Sequence, residues 1–125
     1  MSNTIFKSLL IFAFCLVSCG TSDSEEENLI PILEVPKTLS ATTISTNEIN
    51  LTWSYDGNNA NGFKLERKTG SEEFVEITSI SGVTTTTYSD TGLQSATQYT
   101  YRIRAYNTQS LSLFSNEISA QTEAV

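Results

Sequence analysis

The chain has 125 residues, enough for one domain with a core plus attachments and short of two. A formal charge of -7, with seven Lys and Arg in total and no histidine, excludes nucleic acid as a partner, because neutralising phosphates needs clustered cations. The acidic balance also repels anionic lipid headgroups, so any membrane attachment has to be hydrophobic or covalent.

Residues 1–7 hold one positive charge and no acid, residues 9–17 are unbroken LLIFAFCLV, and small residues follow at Ser18 and Gly20. That is the layout of a secretory signal: charged start, short apolar middle, small residues at the cut. A spanning helix needs about 20 apolar residues, so this run targets and does not span. At its end, Leu16-Val17-Ser18-Cys19 resembles the lipobox of bacterial lipoproteins, with Leu three places before the cysteine and a small residue directly before it. The resemblance implies that residues 1–18 are a signal peptide removed in front of Cys19, that the Cys19 thiol carries diacylglycerol, and that the protein is exported and held to the outer membrane. One acyl chain binds only marginally at about 0.8 kcal/mol per methylene, so the further acylation usual in that family makes the anchor stable. Cys15 would leave with the signal and Cys19 would carry lipid, which leaves no disulfide framework. A redox role fits poorly, since a reactive thiol needs a positive microenvironment and the charges that follow are Asp23, Glu25, Glu26 and Glu27.

Residues 19–36 then form the lipidated start of an acidic tether. Low hydrophobicity and mutual repulsion cannot offset chain entropy, so its first half is expected to be disordered. The 17-residue span to Pro36 reaches roughly 55 to 60 Å when fully extended. Ser22-Asp23-Ser24-Glu25-Glu26-Glu27 resembles the acidic export signals that follow the lipidated cysteine in surface-exposed lipoproteins of the Bacteroidota. Read that way the run implies the cell surface; read as a solvated spacer it implies only reach, and the periplasmic side stays open. Leu29, Ile30, Ile32, Leu33 and Val35 are expected to pack on the domain edge as a lead-in strand.

From residue 37 to 124 the hydrophobic period is two. Ile49, Leu51, Trp53 and Tyr55 alternate with polar residues, as do Phe63 and Leu65, and then Tyr99, Tyr101, Ile103 and Ala105. Turn signals at Asp56-Gly57, Asn61-Gly62, Thr69-Gly70 and Thr91-Gly92 separate these runs. The pattern predicts seven strands, near 38–44, 47–55, 62–68, 73–79, 83–88, 97–107 and 115–122, and hence an all-β, antiparallel two-sheet sandwich. Trp53 is expected to be buried. The landmarks Ile49-x-Leu51-x-Trp53, Gly62-Phe63-x-Leu65-x-Arg67, Tyr88-x-Asp90-x-x-Leu93, Tyr99-x-Tyr101-Arg102-x-Arg104-Ala105-x-Asn107 and Ser115-Asn116-Glu117 are similar to those of fibronectin type III domains, especially bacterial ones. Leu93 and Tyr99 resemble a tyrosine corner, in which the phenol caps an upstream backbone group. The resemblance implies a module without the inter-sheet disulfide of antibody domains.

Candidate chemistry is sparse. Histidine, the commonest acid-base residue near neutrality, is absent, no metal-binding or phosphate-loop spacing occurs, and the acids Glu72, Glu73 and Glu76 fall around an expected edge hairpin. No enzyme activity and no cofactor or metal are therefore expected. The loop from Asp56 to Gly62 offers oxygen ligands but one carboxylate, and turn chemistry explains it better than calcium. Lys64, Glu66 and Lys68 should lie beside Arg102, Arg104 and Tyr106 as a cross-strand charge ladder. The loop from Asn107 to Phe114 sits where some family members carry an Arg-Gly-Asp integrin motif, which is missing here. Its Leu111, Leu113 and Phe114 are the candidate contact residues, against the alternative that Leu113 and Phe114 seat the last strand on the core. The sequence leads to a lipid-anchored, non-catalytic display or spacer module with a protein or polysaccharide partner; the runner-up is an accessory subunit of a surface polysaccharide-handling assembly.

Overall fold

The computed structural model describes residues 32–125. The signal and lipidation positions, Cys19 included, and the first part of the tether lie outside them. Seven strands follow in order: β1 (Lys37–Ser45), β2 (Glu48–Ser54), β3 (Gly62–Thr69), β4 (Val75–Ser81), β5 (Thr87–Thr91), β6 (Gln98–Tyr106) and β7 (Ile118–Gln121). They make two sheets, ordered β1-β2-β5 and β4-β3-β6-β7, with every pairing antiparallel.

The alternation read from the sequence is the cause of this architecture. A strand turns successive side chains to opposite faces, so β2 sends Ile49, Leu51 and Trp53 inward while β6 sends Tyr99, Tyr101, Ile103 and Ala105; all are buried. Phe63 and Leu65 of β3 are fully buried between them. The rings of Trp53 and Tyr55 both meet Phe63 edge-on, at centroid distances of 5.5 and 5.2 Å, the arrangement that the ring quadrupoles favour.

Two local features depart from the expected pattern, in the fifth strand and ahead of β1, and a third is a tight packing. The fifth strand runs from residue 87 to 91 instead of 83–88: Gly82 takes a left-handed φ of 87° and delays the chain, which joins β2 only where Trp53 N–H donates to Thr86 O at 3.0 Å. Gly62 opens β3 at the expected residue, in a buried position where a Cβ would clash with Ile80 O. Leu33 and Pro36 are buried although residues 32–36 form no strand, so packing starts ahead of β1 while Ile32 points into solvent.

Candidate functional site

Three segments meet at one end of the sandwich: residues 32–36, the β2–β3 loop at 55–61 and the β6–β7 loop at 107–117. Ile32, Glu34, Asp56, Gly57, Asn58 and Asn59 line an open groove of about 420 Å³. Asn107 Nδ2 ties the neighbouring loop to it by donating to Asn59 O at 3.0 Å. Within the groove Asp56 is taken by Lys37, 3.1 Å away, and that hydrogen bond, then the carboxylate's charge, raises the Lys37 pKa. Burial, followed by the charge of Glu34, raises the Tyr55 pKa. No group of three or more potential metal ligands occurs among the described residues.

The β6–β7 loop is organised by hydroxyls. Asn107 Oδ1 accepts from Gln109 N–H and Ser110 N–H at 2.8 and 2.9 Å and closes the turn. Ser112 Oγ accepts from Ala105 N–H and Ser115 Oγ from Ile103 N–H, so the segment shadows β6 before β7 begins. Because Ser112 is drawn inward, alternation throws its neighbours out: Leu111 is 48% and Leu113 78% exposed. Phe114 turns to the outer face of the four-stranded sheet, its ring centroid 3.8 Å from Arg102 Cζ and 4.4 Å from Arg104 Cζ. Leu113 and Phe114 therefore do not seat the last strand on the core; Ile118 and Ala120 of β7 pack against it, and Phe114 packs on the two arginines of the outer face.

That outer face carries Lys64, Lys68, Arg102 and Arg104, four of the chain's seven Lys and Arg. Register sets Glu66 opposite Arg102; Arg102 Nε donates to Glu66 Oε2 at 2.8 Å, and Nη2 lies 2.7 Å from the same oxygen as an ion pair. Phe74 stacks on the opposite flank, its centroid 4.0 Å from Arg102 Cζ and 5.0 Å from Lys68 Nζ. The same register sets Lys64 directly opposite Arg104. Lys64 leans toward Glu76 at 3.3 Å and over the Tyr106 ring, while Arg104 Nη2 stays 3.8 Å from Glu66 Oε1, too far for a hydrogen bond, and its Nε is buried without a partner among the described residues.

The interior holds a polar link that sequence reasoning passed over. Asp90, on the inner side of β5, receives Arg67 Nη1 at 2.9 Å on each carboxylate oxygen and the Tyr101 hydroxyl at 2.8 Å. One carboxylate thus joins the two sheets. Burial, then the bond to Asp90, raises the Tyr101 pKa strongly. For Arg67 burial disfavours the charge, but the hydrogen bond and attraction of Asp90 outweigh it and the pKa rises. Asp90 was visible as a family landmark, and Arg67 as the third inward position of its strand; nothing local connected them. Tyr99 and Leu93 lie buried at the crossover, with Gln94 N–H donating to Tyr99 Oη at 2.9 Å. Trp53 is 5% exposed.

Three strands facing four, no cysteine among residues 32–125, and a phenol capping the chain five residues upstream define an immunoglobulin-like sandwich module free of disulfides. The chain belongs to the fibronectin type III domain family, whose profile matches residues 34–121. It is 34% identical over 91 residues, 72% of its length, to an alpha-amylase of Niallia circulans, and spans only 7% of that protein. Among solved structures it is similar to an Fn3-like protein from Clostridium thermocellum, with 33% identity, a TM-score of 0.59, and coverage of 72% of this chain and 93% of the other. The FN1-FN3 domains of chicken CNTN1 share the fold alone, at 19% identity and a TM-score of 0.66, with 73% of this chain and 32% of that one covered.

Proposed function

We propose that this protein is an exported lipoprotein, anchored to the outer membrane through lipid on Cys19, which presents its fibronectin type III domain as a non-catalytic binding or spacer module. The observation that carries the reading is the Leu16-Val17-Ser18-Cys19 run at the end of a short apolar segment, followed by an acidic stretch and one such domain. Lipid fixes location, the tether sets reach, and the domain offers loops and faces at raised local concentration. The buried polar groups support a structural interior: Asp90, Glu66, Ser112 and Thr122 are all engaged in bonds that tie strands together. The exposed Leu111 and Leu113 are the contact candidates at the loop end. Membrane fractionation of Cys19→Ala tests the anchor: the wild type sediments with membranes and the variant becomes soluble, whereas an unchanged membrane fraction defeats the reading. Protease added to intact cells then separates cell surface from periplasm.

The match to a protein named an alpha-amylase favours a second reading, an accessory subunit of a surface polysaccharide-handling assembly. Retardation of the protein in native gels containing soluble starch supports it; migration equal to that in plain gels removes starch as the ligand.

A further inference from the structure

We infer that the outer face of the four-stranded sheet docks an extended acidic peptide of a partner protein. This rests on the binding-module reading and is independent of the anchor at Cys19. The chain is acidic overall, yet four of its seven cations lie on this face against two acids, Glu66 and Glu76, so the balance there is positive. The charges are ordered by register. Lys64 faces Arg104, Glu66 faces Arg102 with Glu76 of β4 on its other side, and Lys68 faces Thr100, so successive rows carry two positive charges, one net negative charge, and one positive charge. Like charges directly opposite each other on paired strands are unfavourable. The Lys64 and Arg104 row is such a pair, and Arg104 is left without a hydrogen-bonded acid among the described residues while its Nε is buried and unpartnered. An anion over this row would offset the like-charge opposition.

The stacking explains why the cations stay in place to receive it. Phe74 and Phe114 both pack on the Arg102 guanidinium, and Phe114 also lies against that of Arg104, which restrains both side chains. The rows are two residues apart, about 6.7 Å along a strand, so the two positive rows stand about 13 Å apart. An extended peptide has that same repeat and sets acids at i and i+4 over them. A helix rises about 1.5 Å per residue and would need acids eight or nine positions apart to reach both rows.

Titration of the ¹⁵N-labelled full chain with an acetylated (Glu-Ser)4 peptide, followed by amide shifts, tests the proposal. Shifts concentrated at residues 64, 68 and 102–104, weakened at least fivefold on raising salt from 20 to 200 mM and absent with (Gln-Ser)4, are the expected result. The Lys64→Gln/Lys68→Gln variant, which leaves the Arg102–Glu66 pair and the core untouched, should bind at least tenfold more weakly. Shifts elsewhere, equal binding by that variant, or tighter binding of polygalacturonate than of the peptide would each overturn it, the last in favour of an acidic polysaccharide. None of these outcomes alters the fractionation of Cys19→Ala, so failure here and failure of the anchor are told apart.

Discussion

Replacing Asp90 with alanine removes a carboxylate that joins the two sheets, and the loss can be worked out from its partners. The Tyr101 hydroxyl is fully buried and would lose its acceptor at 2.8 Å; a hydrogen bond to a charged group contributes about 1.5 to 3 kcal/mol. The Arg67 guanidinium would lose both bonds at 2.9 Å. Unpairing a fully buried ion costs about 3 to 5 kcal/mol, but the Arg67 side chain is 29% exposed and water recovers much of that. Together Asp90→Ala should destabilise the domain by about 3 kcal/mol. With a urea slope near 1 kcal/mol/M for a domain of this size, the unfolding midpoint falls by about 3 M. Tyr101→Phe alone, which preserves the ion pair, should cost about 1 to 2 kcal/mol. The double variant should cost less than the sum, because both changes remove the same bond. A loss below about 1 kcal/mol for Asp90→Ala, or strict additivity in the cycle, refutes the idea that this carboxylate links the sheets.

Alkaline stability follows from the same group. Tyr101 has its pKa raised above the ordinary 10.0 in the folded state, so the folded chain keeps its proton where the unfolded chain has lost it. That contribution is complete below pH 10 and declines above it by up to about 1.4 kcal/mol per pH unit; urea midpoints measured from pH 9 to 11 should fall less steeply for Tyr101→Phe than for wild type. Tyr99→Phe removes the acceptor for Gln94 N–H and should lower stability by about 1 kcal/mol; an unchanged midpoint would argue that the crossover is held by packing alone. Gly62→Ala sets a methyl group against Ile80 O and should cost about 3 kcal/mol, read as a lower thermal midpoint, with a neutral result excluding the close approach of β3 and β4.

The sandwich was legible because its core strands alternate without interruption: β2 and β6 each bury every second side chain, and period alone places them within a residue or two. The fifth strand was not, since Val83 is followed by four threonines, which suit either face and give no phase; a glycine φ decided where pairing resumed. The place of Phe114 was hidden for a different reason. Its apolarity said that it would find cover, but the cover is two arginines from another strand, a contact that only the β3–β6 register and the loop geometry create. Arg67 and Asp90 are 23 positions apart and meet only when the sheets close. The charge ladder, by contrast, was readable from alternation, although the Lys64 and Arg104 opposition needed the register.

The way β1 and β7 lie side by side has a mechanical meaning. Leu39 exchanges two hydrogen bonds with the Asn116 side chain, Thr43 Oγ1 donates to Gln121 O, and Ser45 O accepts from Glu123 N–H. These contacts climb both segments in the same direction, so the first and last strands run parallel, and the polypeptide arrives at one end of the module and departs at the other. Tension applied between those ends would slide the two strands past each other and strain these bonds together, where a zipper would yield one at a time. A molecule fixed at its amino end and pulled from its far end would resist as a unit and then give way abruptly.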